Sequence, residues 1–266
     1  MKLLSSIKDV FGKRKIMLSL ATEDFKKRFV GSYFGVFWMF VQPIVTVIIY
    51  YCVFQLGFKS APPSGTNAPY VLWLIPGIVP WFYINEAINM GTGVLYDYNY
   101  LVKKVVFKIS ILPIIKDIAC LFVHLIFWLI MVAVFLIYGY KPNIYWIQTL
   151  YYSFCAFVAI MAVTMFTSAI NVFFKDMGQI VNILLQFGMW ITPIMWSYTM
   201  MGDKAWILKI NPFYYISEGY RDSMLNNVWF WERPMLTIYF WAVTIAVMII
   251  GTHIFKKLKP HFADVL

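Results

Sequence analysis

The sequence predicts an all-α, polytopic membrane protein with six transmembrane helices and both termini in the cytoplasm. Of its 266 residues, 62% are hydrophobic and 13% are charged, whereas soluble domains average about 45–50% apolar and about 25% charged residues. Aromatic residues make up 20% of the chain, which excludes an intrinsically disordered protein because disordered chains contain few aromatics. The surplus of apolar surface therefore requires lipid around it.

Long stretches without a charged residue locate the spans. The longest, residues 29–58 and 142–174, hold 30 and 33 residues, and about 20 apolar residues suffice to cross the bilayer as a helix. Helices are favoured over a β-barrel, whose strands would give segments of about 10 residues with alternating polarity. The predicted transmembrane domain, residues 34–258, follows a cytoplasmic segment of residues 1–33 and precedes a tail of residues 259–266; its spans are residues 34–57, 70–92, 115–139, 145–172, 178–198 and 234–256.

The distribution of Lys and Arg predicts the orientation. Sixteen of the 22 basic residues lie in the N-terminal arm, between spans two and three, after span four, and in the C-terminal tail. The positive-inside rule places these segments in the cytoplasm. The net charge of +10 is thereby explained without a nucleic-acid partner. The first 28 residues lack an apolar core, so no cleavable signal peptide is expected.

The N-terminal arm is predicted to form an amphipathic interfacial helix. Its apolar residues recur at helical spacing or multiples of it, with basic residues between them. Such a helix lies on the inner leaflet with its basic face toward anionic lipid head groups. A basic tail that only sets the topology is the alternative. The predicted apolar face consists of Ile7, Phe11, Leu18, Ala21, Phe25 and Phe29.

Two segments outside the spans carry further predictions. Residues 97–107 mix apolar side chains with Lys103 and Lys104 at helical spacing, as a short cytoplasmic element that docks a soluble partner would. Residues 199–230 are too apolar for a free exterior loop and too charged for a span, so short re-entrant helices broken at Asn211 and Pro212 are predicted. We expect this second segment to form the exit gate, with Arg221 among its residues.

The sequence contains no pattern for catalysis, metal binding or ATP binding. The Gly12-Lys13 pair has Ile7 in place of the first glycine of a phosphate loop and Arg14 in place of its hydroxyl residue. The three histidines are scattered, and the three cysteines lie within predicted spans without ligand spacing. The residues therefore give no indication of an enzyme, and we expect the chain to have no cofactor or metal of its own.

Glu86 is a carboxylate within a predicted span. Three roles are open for it: packing or gating with Asn85 and Asn89 as partners, contact with a substrate, or an ion relay. His124 is the imidazole within a predicted span, and we expect it to form an interhelical hydrogen bond rather than to carry protons.

Several short motifs occur in a fixed order along the chain. They are Gly31-Ser32-Tyr33-Phe34-Gly35-Val36-Phe37-Trp38 with Gln42-Pro43, Asn99 to Val106 with Leu112-Pro113, Phe173-Phe174-Lys175-Asp176, Thr192-Pro193-Ile194, and Asn211-Pro212-Phe213 with Arg221. With these motifs the chain resembles the membrane subunits of type-2 ATP-binding-cassette exporters, particularly those of lipid-linked O-antigen, capsular polysaccharide and teichoic acid. The chain departs from that family at Lys108, where Pro is frequent, and at Lys175, where Arg is usual; Lys175 lacks the bidentate fork of Arg.

The resemblance implies a homodimer joined to two separate cytoplasmic ATPase chains, which would bind ATP and Mg. It also implies that residues 99–107 act as a coupling helix in a cleft of the ATPase, and that spans one and five form the path and the dimer seam. The coupling residues are then Asn99, Leu101, Val102, Lys103, Lys104, Val105 and Phe107.

The implied cargo is a glycan on a polyprenyl carrier. Sugar rings stack on aromatic side chains without fixed charge, although membrane proteins also place Trp and Tyr in interfacial belts. The carrier pyrophosphate would be attracted by Lys26, Lys27 and Arg28, unless these residues only set the topology. The predicted substrate path consists of Trp38, Phe40, Trp81, Tyr83, Glu86, Trp190 and Trp196.

The sequence thus predicts a multi-pass permease subunit of the bacterial cytoplasmic membrane that exports a lipid-linked polysaccharide or teichoic-acid polymer. Two alternatives remain open. One is the same fold exporting a drug or a small lipid, and the other is an ion-coupled secondary transporter or channel that uses Glu86.

Overall fold

The computed structural model describes residues 14–27, 33–57, 68–103 and 108–266. Every regular element within these ranges is helical. A π-helical stretch, Tyr51–Gly57, continues α2, and shorter 3-10 or π segments flank several other helices. The helices are α1 (Arg14–Lys27), α2 (Trp38–Tyr50), α3 (Tyr70–Asp97), α4 (Asn99–Val102), α5 (Leu112–Ile137), α6 (Gln148–Asn171), α7 (Met177–Ile191), α8 (Trp206–Lys209), α9 (Pro212–Arg221), α10 (Pro234–Leu258) and α11 (Phe262–Val265).

Five helical stretches in the described ranges are long and apolar enough to cross a membrane. They correspond to predicted spans one to four and six, with ends that differ by several residues from the prediction. The polytopic all-α class is therefore confirmed. The stretches are Trp38–Gly57, Tyr70–Asp97, Ile109–Ile137, Ile144–Asn171 and Pro234–Val265.

The fifth predicted span, residues 178–198, corresponds to a shorter helix. Helix α7 has 15 residues, which is ~22 Å at 1.5 Å per residue and less than the ~30 Å of bilayer hydrocarbon. The helix ends because Thr192 precedes Pro193, and a residue before proline is driven out of the α region. Thr192 is extended, with φ −80 and ψ 112. A sixth crossing stays a prediction.

Helix α3 lies at the centre of the bundle and packs against α5, α6, α7 and α9, while α6 also packs along α10. Small residues allow the backbones of neighbouring helices to approach closely. A Cβ added at Gly91 of α3 would clash with the Cγ2 atom of Thr164 on α6, and one added at Gly251 of α10 would lie 2.9 Å from the carbonyl oxygen of Ala162. These contacts hold α3, α6 and α10 together as one packed unit.

The described elements group at two ends of the bundle. Helices α1, α4 and α11 share one buried cluster, to which Met17, Val102 and Phe262 contribute, and we call this end the basic end because Lys116, Lys256 and Lys257 lie there. Helices α8 and α9 lie at the opposite end, which we call the far end. The side of the membrane on which each end lies stays a prediction.

Helix α1 packs on α5 with a face that agrees in part with the predicted one, since Ala21 is buried and the ring of Phe25 meets that of Phe122 on α5 edge to face. Met17, Ala21 and Asp24 are buried, whereas Leu18 is 49% exposed. The difference arises because Asp24 is drawn inward by a partner on α5, which a helical periodicity of apolar residues cannot reveal. Ile7, Phe11 and Phe29 lie outside the described residues.

Candidate functional site

A cavity of about 560 Å³ lies between α2, α3 and α5, with Met189 of α7 on one side. This volume falls within the range of about 300–1,000 Å³ that is usual for ligand pockets. Six of the sixteen lining residues are aromatic, and four polar side chains also line the cavity. The aromatic residues are Trp38, Tyr50, Trp81, Phe82, Tyr83 and Phe127, and the polar ones are Thr46, Asn85, Glu86 and His124.

The structure brings four of the seven predicted path residues together in this cavity: Trp38, Trp81, Tyr83 and Glu86. The other three lie elsewhere. The ring of Phe40 packs against the ring of Phe127, with 6.0 Å between centroids. Trp190 lies in the last turn of α7 and Trp196 lies after that helix. The indole Nε1 of Trp196 donates a hydrogen bond to the carbonyl oxygen of Trp190 at 3.2 Å. The substrate roles of all seven residues stay predictions.

The indole of Trp81 connects the cavity to the far end. Its ring meets that of Phe213 on α9 edge to face, with 6.1 Å between centroids. On its other side lies α7, where a Cβ added at Gly188 would approach the Cη2 atom of Trp81 to 2.9 Å. The absence of a side chain at Gly188 therefore allows α7 to pack directly on this ring, so a shift of α7 or α9 would change the cavity wall.

A buried polar network backs the same wall. The hydroxyl of Tyr83 donates to Oδ1 of Asp117 at 2.5 Å, and the ring of His124 stacks on the ring of Tyr83 at 4.8 Å. Nε2 of His124 is hydrogen-bonded to the hydroxyls of Tyr220 at 2.9 Å and Ser153 at 3.1 Å. The interhelical hydrogen bond predicted for His124 is confirmed, and it links α5 to α6 and α9.

Asp117 is a residue that the sequence reasoning missed. It stands beside Lys116 at the start of a charge-free stretch, so it resembles a residue at the membrane boundary, yet it is 1% exposed. One pattern could have revealed it: Asp117 and His124 are seven residues apart and so lie on the same face of a helix. Buried polar side chains on one helical face need partners from neighbouring helices.

At the basic end, Lys116 joins three elements. Its Nζ atom lies 2.8 Å from Oδ1 of Asp24 on α1 and 2.9 Å from Oδ2 of Asp97 at the end of α3. The hydroxyl of Tyr98 donates to the same Asp24 oxygen at 3.0 Å. The sequence reasoning also missed this cluster, because its members are far apart in the chain. We call Asp24, Asp97, Tyr98 and Lys116 the basic-end cluster.

The predicted coupling segment begins directly after this cluster. Asn99, Leu101 and Val102 belong to α4, in which Val102 is buried, and Lys103 is exposed after it. Of the predicted carrier-binding residues, Lys26 is exposed on α1 at the same end. The coupling and pyrophosphate roles stay predictions. Lys104, Val105, Phe107, Arg28 and the side chain of Lys27 lie outside the described residues.

At the far end, Arg221 is a buried anchor. Its Nη1 and Nη2 atoms donate to the carbonyl oxygens of Pro193 and Ile194 at 2.8 and 2.6 Å, and its Nε donates to the carbonyl oxygen of Trp73 at 3.2 Å. Its guanidinium also lies 3.6 Å from the centroid of the Trp73 ring and pairs with Glu218 at 3.1 Å. Burial lowers the pKa of Arg221 and the Glu218 carboxylate opposes that shift. Arg221 therefore fixes the turn after α7 to α3 and α9.

The chain breaks at Asn211 and Pro212, as predicted. Oδ1 of Asn211 accepts a hydrogen bond from the backbone N–H of Phe213 at 3.1 Å, and its Nδ2 donates to Oγ1 of Thr192 at 2.6 Å. Asn211 thus caps α9, and Pro212 occupies its first turn, where proline is favoured. The short helices of the far end are present; their re-entrant position and their role as a gate stay predictions.

Asp222 follows Arg221 in the same far-end segment. Its Oδ1 atom lies 2.8 Å from an Nη atom of Arg233 and accepts a hydrogen bond from Asn226 at 2.9 Å. Burial raises the pKa of Asp222 to about 6, and the charge of Arg233 opposes this rise. Within the described ranges, no group of His, Cys, Asp or Glu residues is placed to hold a metal ion.

The chain is similar to known proteins over nearly its full length. Residues 17–225 match the family described as ABC-2 type transporter. An O-antigen export system permease protein RfbA from Klebsiella pneumoniae is 26% identical over 254 residues, which are 94% of this chain and 95% of that protein. The protein of the same name from Myxococcus xanthus is 22% identical over 261 residues, which are 97% and 98% of the two chains.

These matches agree with the fold and with the missing ATP-binding pattern. ABC-2 permeases are transport components rather than enzymes, and they work with an ATP-binding-cassette ATPase subunit. The five apolar helices are those of a protein that crosses the membrane several times. The chain belongs to the ABC-2 type transporter family and is a multi-pass permease subunit of a type-2 exporter in the bacterial inner membrane.

Proposed function

We propose that this permease exports a lipid-linked polysaccharide or teichoic-acid polymer, driven by ATP hydrolysis in a separate ATPase chain that binds ATP and Mg. The observation that carries the proposal is the aromatic cavity between α2, α3 and α5, where Trp38, Trp81 and Tyr83 meet Glu86. Its dimensions and lining suit a short segment of glycan. Relatives that cover at least 94% of this chain are named for O-antigen export, which supports the same class of cargo.

The chemistry of the cavity suits sugar rings. The apolar faces of a pyranose pack on aromatic rings, and its hydroxyls form hydrogen bonds with amide and carboxyl groups such as those of Asn85 and Glu86. At the far end, Phe213 and the close approach of α7 at Gly188 hold the Trp81 ring. Export would then require the rings of Trp81 and Phe213 to separate, so that the cavity opens toward the exterior.

The basic end would receive the driving motion from the ATPase. With this end in the cytoplasm, α1 and the coupling segment after Tyr98 would form the surface for the ATPase. Lys26, which is exposed on α1, would attract the carrier pyrophosphate together with Lys27 and Arg28. The basic-end cluster ties α1 and the end of α3 to α5 through Lys116. A shift of α1 or the coupling segment would therefore reach α5, whose residues His124 and Phe127 line the cavity.

A second copy of the chain would complete the path. Large apolar side chains are exposed on α2 and α7, including Ile48, Ile49, Leu184 and Phe187. These two helices also border the cavity, since α2 carries Trp38 and α7 carries Met189. A homodimer that packs these faces together would cover the apolar surface and leave the two cavities beside the seam.

The test is export by cells that lack the chromosomal copy of this chain and carry a plasmid copy. Trp38→Ala removes a ring from the cavity wall and is expected to lower the amount of surface polymer several-fold. Trp231→Ala changes a Trp with nearly the same exposed fraction, 55% against 54% for Trp38, that lies outside both the cavity and residues 199–230. It serves as the matched control and is expected to export normally. Normal surface polymer in cells without the chain would contradict the proposed cargo, and normal export by Trp38→Ala would contradict the assignment of the cavity.

A further inference from the structure

The charge of the cavity wall distinguishes between the cargo classes. Among the described residues that line it, none is Lys or Arg, and one, Glu86, is acidic. His124 is 2% exposed and its Nε2 is engaged by the hydroxyls of Ser153 and Tyr220, so it forms part of the wall network.

The buried cations of the described chain are not available to the cavity either. They are Lys116 and Arg221. Lys116 is paired with two carboxylates, of Asp24 and Asp97. Arg221 is paired with Glu218 and bonded to three backbone carbonyl oxygens. Both positive charges are thus compensated within the fold.

A polymer with a phosphate in every repeating unit would enter this cavity at a large cost. A charge taken out of water costs several kcal/mol unless a counter-charge meets it, and the described lining offers no such partner. A low dielectric strengthens this electrostatic cost relative to water. An uncharged sugar meets none of these costs, because its hydroxyls bond to Asn85 and Glu86 while its ring stacks on Trp38 or Trp81.

We infer that the cavity selects its cargo by charge: it accepts segments of uncharged glycan and rejects repeating units that carry phosphate. This inference rests on the proposed function and narrows it from polysaccharide or teichoic acid to neutral polysaccharide. Selection acts on the polymer that passes the aromatic wall. The carrier pyrophosphate is not part of this selection, because Lys26, the described member of its proposed partners, lies on α1 at the basic end.

The experiment uses the full-length permease with its ATPase, reconstituted in lipid vesicles with Mg-ATP. Two probes share the same polyprenyl pyrophosphate and the same number of repeating units; one carries neutral hexoses and the other carries glycerol phosphate. Transport into the vesicle lumen and ATP hydrolysis are measured for each. We expect the neutral probe to be transported at least tenfold faster than the phosphate probe and to stimulate ATP hydrolysis several-fold.

Two variants test the physical cause. Glu86→Lys and Asn85→Lys each place a cation in the cavity wall, and each is expected to raise transport of the phosphate probe relative to the neutral one by at least threefold. The ratio of the two transport rates does not depend on the amount of folded protein, so it reports selectivity alone. Asn85→Lys provides the same test if Glu86→Lys does not fold. The comparison of the two probes with the unaltered chain does not depend on either variant.

The outcomes separate the inference from the proposed function. Equal transport of both probes, or faster transport of the phosphate probe, would overturn the charge selectivity and leave the proposed function intact. An unchanged ratio in a folded variant with the new lysine would overturn the role of the cavity wall. Transport of neither probe by a complex that hydrolyses ATP would contradict the proposed function itself.

Discussion

The two buried cations lie at opposite ends of the bundle and are held in different ways. Lys116 at the basic end is 4% exposed and meets two side-chain carboxylates from other elements. Arg221 at the far end is 1% exposed and meets three backbone carbonyls, one carboxylate and the face of Trp73. An ammonium is a compact point charge, whereas a guanidinium is a planar fork that demands fixed directions.

This difference indicates which end is able to move. Backbone carbonyls are fixed by the fold, so the Arg221 site requires one position of the turn after α7. At the basic end the side chain of Asp97 is 51% exposed, so water can replace it while Lys116 keeps Asp24. We therefore infer that Arg221 holds the far end rigidly. At the basic end, the pairing of Lys116 with Asp97 can lengthen or break, so α1 and α4 can be displaced slightly.

The largest effect is expected at the far-end anchor. Arg221→Met leaves Glu218 and three carbonyl oxygens without their partner, and loss of one member of a buried pair costs about 3–5 kcal/mol of unfolding free energy. Arg221→Lys is expected to lose more than half of that amount, because an ammonium cannot reproduce the fork. Chemical unfolding of the purified protein in detergent measures both.

Lys204→Met is the matched control, since Lys204 is exposed in the same segment. We expect a change below about 0.5 kcal/mol for this control. Unaltered stability of Arg221→Lys would show that charge alone, rather than the direction of its hydrogen bonds, holds the far end.

Substitutions of Lys116 at the basic end are expected to lower stability less than those of Arg221. They are expected to weaken the coupling between ATP hydrolysis and export more. Lys116→Met leaves the buried Asp24 with Tyr98 as its remaining partner and should cost about 2–3 kcal/mol. Lys116→Arg keeps the charge and should cost less than 1 kcal/mol, unlike the corresponding exchange at Arg221. The number of polymers exported per ATP hydrolysed should fall in Lys116→Met, because α1 is no longer tied to α5.

The exposed Lys103 provides the control at this end, and Lys103→Met should leave the stability unchanged. If Lys116→Met exports the same amount of polymer per ATP as the wild type, the basic-end cluster serves packing alone. A greater loss of stability in Lys116→Arg than in Arg221→Lys would reverse the comparison of the two ends.

Two glycines of α3 test how tightly the anchor is enclosed. A Cβ added at Gly77 would lie 2.5 Å from Nη2 of Arg221, whereas one added at Gly93 would meet nothing within 4 Å. Gly77→Ala should therefore cost about 1–3 kcal/mol through overpacking. Gly93→Ala on the same helix should gain about 0.5–1 kcal/mol, because alanine is the better helix former. Equal effects would mean that Arg221 has room to move.

The long helices and one chain break could be predicted from the sequence. Charge-free stretches predicted six spans, and five of them correspond to long apolar helices in the described ranges, because this signal depends on composition over many residues. The break at Asn211 and Pro212 was predicted from the chemistry of adjacent residues. The end of α7 was missed although Pro193 marks it, since the charge-free stretch continues beyond it.

The partners of buried polar residues could not be predicted. Lys116 was counted as a marker of topology, and its partner Asp24 lies 92 positions away in the chain. Arg221 was expected in a gate, whereas its ligands are carbonyl oxygens of Trp73, Pro193 and Ile194, which no side-chain pattern encodes. Contacts of this kind depend on how helices pack, and a single sequence does not specify that packing by periodicity alone.

The smallest expected effect is a dependence of far-end stability on pH. Burial raises the pKa of Asp222 from 3.8 to about 6 in the folded protein, so the folded state binds the proton more tightly than the unfolded state between these values. Stability therefore increases as the pH falls from 7 to 5, by about 1 kcal/mol from this group.

Asp222→Asn should remove that increase, while Asp203→Asn, at an exposed site in the same segment, should retain it. The measurement is chemical unfolding at pH 5 and pH 7, with each variant compared with the wild type. If the wild type loses stability relative to Asp222→Asn on acidification, the ion pair with Arg233 outweighs burial and the far end is held by charge, as the basic end is.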